Sequence, residues 1–104
     1  MNISEDGFRN YLLSKGYDAV LTSDVISVLN NEVRSIFNSL YGAEMRSIYE
    51  LSLAENVNKL ECDIVVHPIF KAQNRANDFK FTTYLRAYRR YLRETQEISN
   101  AENF

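Results

Sequence analysis

Apolar side chains recur along this chain at spacings of three, four and seven, the signature of helices that bury one face. The most regular stretch is Asp78–Glu97, where Phe81, Tyr84, Leu85, Tyr88, Tyr91 and Leu92 share one side. Arg86, Arg89, Arg90 and Arg93 fall at i, i+3, i+4 and i+7 and form a second stripe beside the apolar one. One helix is therefore predicted to pack inward and present guanidiniums outward.

Upstream the same periodicity predicts three more helices. Ser4 caps the first, with Glu5 and Asp6 in its opening turn and Phe8, Tyr11 and Leu12 facing inward. Gly7 weakens its start by roughly 1 kcal/mol relative to alanine, and Gly16 supplies the stop. A second helix, capped by Thr22 or Ser23, carries Val25, Ile26, Leu29, Val33, Ile36, Phe37 and Leu40 on one stripe. Asn30, Asn31, Arg34, Ser35 and Asn38 lie opposite, and Tyr41-Gly42 ends the helix. Residues 43–51 form a short helix or an apolar connector. Ser52-Leu53-Ala54-Glu55 has the form of a capping box and opens a third helix through Leu53, Val57, Leu60 and Ile64, up to the break before Pro68. Ile64 to Val66 alone has strand character, but no partner strand is evident. PIFKAQNRAN, residues 68–77, reads as a loop that packs Ile69 and Phe70 down and exposes Lys71, Gln73, Asn74 and Arg75. Asn77 or Asp78 then caps the last helix, and residues 98–104 read as a loose polar tail in which Phe104 can dock.

The expected architecture is all-α: a compact bundle of four main helices plus one short element, in a single domain over residues 1–97. At 104 residues the chain buries roughly two-thirds of its unfolded surface without staples. A single cysteine, Cys62, makes no internal disulfide, and no apolar run has the length of a membrane span. A reducing cytoplasm is the default expectation.

Net charge is −2, but its distribution changes the picture. Residues 1–70 hold ten acidic and five basic side chains, whereas residues 71–93 hold seven basic side chains against Asp78 alone. Such a run is either a solvated face whose arginines pair with nearby carboxylates or an anion-binding face. In the second case Arg86, Arg89, Arg90 and Arg93 contact phosphates and Lys71, Arg75 and Lys80 assist, because guanidinium forks match phosphate oxygens. Tyr84, Tyr88 and Tyr91 suit a base-stacking platform only if exposed, and their company on the apolar arc assigns them to the core, with Tyr84 and Tyr91 at its edge.

Catalytic chemistry finds little support. Cys62, Asp63 and His67 are too few and too mixed for a metal site, so no metal or cofactor is expected. Three glycines leave no phosphate-cradling loop, and the lone histidine has no nucleophile partner, so an enzyme acting alone is not expected.

Phe8-x-x-Tyr11-Leu12, Gly16 and Thr22 opening a long helix resemble the N-terminal half of the SAM-like core-binding domain of tyrosine recombinases and phage integrases. Pro68-x-Phe70, Asn74 and Tyr84-Leu85-x-x-Tyr88-x-x-Tyr91-Leu92 are similar to the related helical domain preceding some restriction-type nucleases. The likeness spans most of residues 8–92 through short helix-packing motifs. The chain departs from it at Ile26, where those domains often carry tyrosine, and in a longer Asp18–Leu21 connector. In the recombinases this domain clamps DNA with basic helices, while a separate domain supplies an arginine, a His-x-x-Arg motif and a nucleophilic tyrosine. Here Pro68, Ile69 and Phe70 follow His67, so that motif is absent.

The resemblance implies a clamp on double-stranded DNA without its catalytic domain, free or as part of a longer chain. The alternative is a protein-binding module, a small phage or mobile-element protein that occupies a host defence factor, with an exposed apolar patch around Met45, Ile48 and Tyr49. Monomer and small homo-oligomer both fit, and an oligomer could hold a small anionic ligand with the same arginines.

Overall fold

The computed structural model describes residues 3–102, with side chains through residue 96. Among these residues the regular structure is entirely helical. The helices are α1 (Glu5–Ser14), α2 (Ala19–Val28), α3 (Arg34–Tyr41), α4 (Ala54–Val66), α5 (Pro68–Ala76) and α6 (Lys80–Glu102). A π-helical segment, Leu29–Val33, joins α2 to α3, and a 3-10 turn, Ile48–Glu50, lies in the connector before α4. No described helix is long and apolar enough to cross a membrane.

One hydrophobic core runs through the molecule, and α4 against α6 is its most extensive helix contact. The stripe expected on α6 is buried as predicted: Phe81, Tyr84, Leu85, Tyr88, Tyr91 and Leu92 are all at most 8% exposed. Tyr88 is fully buried, with its ring edge-on to Phe8 at 5.3 Å and to Tyr49 at 5.9 Å. Its hydroxyl donates to the Leu51 carbonyl at 2.8 Å. Gly7 has a packing reason: a β-carbon there would collide with the Tyr91 hydroxyl.

Local chemistry moved several boundaries. The cap of α2 is Asp18, whose carboxylate accepts from the Leu21 amide at 2.7 Å, so Thr22 lies buried one turn inside the helix. The capping box is at Ser47 and Glu50 and not at Ser52 and Glu55; the Glu50 carboxylate accepts from the Arg46 and Ser47 amides. Helix α4 starts at Ala54 after Leu53, whose side chain offers no cap.

Pro68–Ala76 is a helix and not a loop. Proline suits the first helical position because its missing N–H is one that no helical carbonyl would receive. His67 completes the start, its Nδ1 accepting from the Ile69 and Phe70 amides. Ile69 is consequently 60% exposed and Asn74 is buried, the reverse of the loop reading. His67→Ala is expected to lower stability by about 1 kcal/mol and His67→Asp to retain most of it; urea unfolding at neutral pH measures both.

The polar side of the long second helix also does more than face water. Asn38 brackets Met45 by accepting from its amide at 2.8 Å and donating to its carbonyl at 3.0 Å, and Asn30 accepts from the Ile48 amide. The π-helical segment alters the regular ladder here, and the Asn30 carbonyl accepts from Arg34 Nε at 2.8 Å. These bonds seat the connector on the bundle. Met45 and Ile48 are buried and Tyr49 half-buried, so the exposed apolar patch expected around them does not exist.

At the other end, α6 continues through Glu102, beyond the expected boundary after Glu97. Asn103 and Phe104, the residue expected to dock, lie outside the described residues.

Candidate functional site

The arginine stripe is divided by its neighbours. Arg89, at its edge toward α4, is only 19% exposed; it donates to Asn58 and lies 3.1 Å from Glu61. Arg86 Nε donates to the other Glu61 oxygen at 2.6 Å while half of its side chain stays in water. Glu61 is itself buried, so one carboxylate of α4 anchors two guanidiniums of α6. Arg90 and Arg93 are exposed, and among the described residues neither takes part in an ion pair. Angle on the helix separates Arg89, turned toward α4, from Arg90, about 100° further round, which lines a groove on the α1 side with Lys15 and Glu94; Arg93 is within about 20° of Arg86 in angle but about 10 Å farther along the axis.

Lys80 is drawn away from the stripe. It pairs with Asp24 of α2 at 3.1 Å, and the Tyr84 hydroxyl donates to the same carboxylate at 2.6 Å. The Tyr84 hydroxyl and Lys80 hold the Asp24 carboxyl below its ordinary range, while burial and Asp24 push the Tyr84 phenol up to about 12. Tyr84 is therefore a buried strut between α6 and α2, and Tyr91, packed on Phe8 and Tyr11, is likewise core.

Lys71 and Arg75 remain exposed, now on helix α5. They meet Arg86 around one groove of about 450 Å³ between α4, α5 and α6. Val65, Phe79 and the Asn74–Thr82 pair complete its lining, which contains no carboxylate residue. Asn74 fixes the α5–α6 corner: its amide donates to Thr82 Oγ1 at 3.1 Å, its side-chain oxygen receives the Thr82 amide, and its carbonyl accepts from Phe79 N at 2.8 Å. From Arg86 the outward face of α6 continues to Arg93, about 10 Å along the axis. A larger groove of about 500 Å³ between α3 and α5 has Glu32 in its lining and no cation.

Of the seven basic residues expected to act together, Lys71, Arg75 and Arg86 are brought to one groove, Arg90 and Arg93 extend the exposed face, Arg89 is largely structural, and Lys80 belongs to an ion pair elsewhere. The roles of Glu61 and Phe79 escaped the sequence reading, and Asn74, expected to be exposed, is buried at the α5–α6 corner. Glu61 falls on the buried side of α4, one residue after Leu60 and three before Ile64, and that spacing was its available signal. Asp63 is engaged by Lys59 and Tyr41, and Cys62 is exposed. No group of three or more histidine, cysteine or acidic residues placed to hold a metal occurs among the described residues. No family model, curated protein or solved structure matches this chain.

Proposed function

We propose that this chain is a non-catalytic DNA-binding module, SAM-like in arrangement, that clamps a phosphate backbone as the recombinase domain it resembles does, without a catalytic domain. One observation carries the reading: Lys71, Arg75 and Arg86 surround a groove without a carboxylate in its lining, and exposed Arg90 and Arg93 continue from it along α6.

The test is fluorescence anisotropy with a generic duplex across a salt series. Changing Lys71, Arg75, Arg90 and Arg93 together to glutamine removes exposed charge and leaves the Glu61 pairs that hold α4 to α6. Wild type is expected to show a log–log salt slope of up to about −4.5, if each of the five cations neutralises one phosphate. That slope is a loss of two to three orders of magnitude in affinity between roughly 50 and 200 mM salt. The folded variant is expected to lose binding and salt dependence together. Absence of wild-type binding at low salt would sink the reading and leave a protein partner as the ligand to seek.

A further inference from the structure

Phe79 occupies a position that folding alone does not explain. It and Asp78 have φ of 60° and 56°, the left-handed region, where a bulky side chain is disfavoured by roughly 1–2 kcal/mol. The other described residues with positive φ are Gly16 and Gly42, which carry no β-carbon to strain. Strain of this kind is ordinarily offset by burial of the ring, yet Phe79 is 54% exposed. The backbone at this corner is nevertheless well held. Phe79 N donates to the Asn74 carbonyl at 2.8 Å, and the Phe79 carbonyl accepts from Thr83 N at 3.0 Å and Thr82 Oγ1 at 3.2 Å. The ring is thus presented by a fixed corner into the groove that Lys71, Arg75 and Arg86 surround.

The geometry points to this groove as a subsite for an unpaired nucleotide, with its base stacked on Phe79 and its phosphates on Lys71, Arg75 and Arg86. The inference rests on the nucleic-acid reading above and narrows it to DNA that offers a base out of the helical stack: a single strand, a frayed end or a junction. A flat ring beside several cations is the combination that holds single strands, because every base has a face to stack and every linkage a charge. In a continuous duplex that face is already covered by the neighbouring bases. An acidic protein segment with an apolar anchor is the competing occupant. The continuation of charge to Arg90 and Arg93 favours a strand, which carries an anion at every step, over a single anchored side chain.

The experiment compares a fluorescein-labelled thymidine 12-mer with a blunt 12-base-pair duplex, binding to wild type, Phe79→Ala, Phe79→Leu and Phe79→Gly, with thermal unfolding of each protein. Wild type is expected to prefer the single strand. All three variants are expected to bind it about tenfold more weakly, the effect of removing one stacked base, with duplex affinity unchanged. Phe79→Gly is expected in addition to unfold at a higher temperature than wild type, since it relieves the left-handed strain, so its weaker binding cannot be ascribed to damage to the fold. Unchanged single-strand affinity in Phe79→Gly, or an equal loss for duplex and single strand, would overturn the subsite while leaving the basic clamp standing. Failure of wild type to bind either DNA would remove the clamp itself, and the subsite with it.

Discussion

Tyr88→Ala is expected to cost about 3–5 kcal/mol, as large aromatic-to-alanine changes in close-packed cores do. Total stability of a domain is typically only about 5–15 kcal/mol, so the variant should sit near the edge of unfolding. Three contributions meet in this side chain. The ring is the largest of the fully buried side chains. It packs edge-on against Phe8 from α1 and Tyr49 from the connector, and so ties both to α6. Its hydroxyl satisfies the Leu51 carbonyl just before α4. Burial pushes its phenol well above the ordinary tyrosine range, so the hydroxyl remains a donor through the alkaline range in which exposed tyrosines ionise. Tyr88→Phe separates these effects. It keeps the ring, leaves the Leu51 carbonyl without that donor, and is expected to cost about 1–2 kcal/mol. Guanidinium unfolding of the three proteins measures the ladder; equal losses for Phe and Ala would assign the whole effect to the hydrogen bond.

Glu61→Gln carries the second large expectation, because it moves stability and binding in opposite directions. The amide retains the size and some hydrogen bonding of the carboxylate but removes the charge that Arg86 and Arg89 share. Loss of one member of a fully buried pair costs about 3–5 kcal/mol; with Arg86 half in water, about 2 kcal/mol is expected here. The same change adds a net positive charge to the proposed DNA face and releases Arg86. Duplex affinity at low salt should rise severalfold, and the salt slope should steepen by about 0.9 for each further phosphate neutralised. Anisotropy and urea unfolding on one preparation give both numbers. A parallel fall of stability and affinity would mean that Glu61 serves binding by holding its arginines in place.

The hydrophobic pattern specified the face of each long helix. The spacing of Phe81, Tyr84, Leu85, Tyr88, Tyr91 and Leu92 could be satisfied only by burying one side of α6, and the structure buries it. The pattern failed where a short-range polar contact outweighed it. A histidine before a proline looks like a break in sequence; in three dimensions its Nδ1 turns back to cap α5. Met45 and Ile48 looked like a surface patch because their partners, Asn38 and Asn30, sit on what reads as the solvent side of a helix 7 and 18 residues away.

The candidate site divides in the same way. Sequence by itself determined the helical class, the buried face of α6 and the concentration of positive charge between residues 71 and 93, because each follows from composition or from a fixed angle per residue. Tertiary structure decided which of those charges remain available. Packing against α4 placed Glu61 beneath Arg86 and Arg89, packing against α2 placed Asp24 beside Lys80, and the corner held by Asn74 brought Lys71, Arg75 and an exposed Phe79 to one groove. Ion pairing depends on distances between elements far apart in the chain, and a helical repeat carries no information about them.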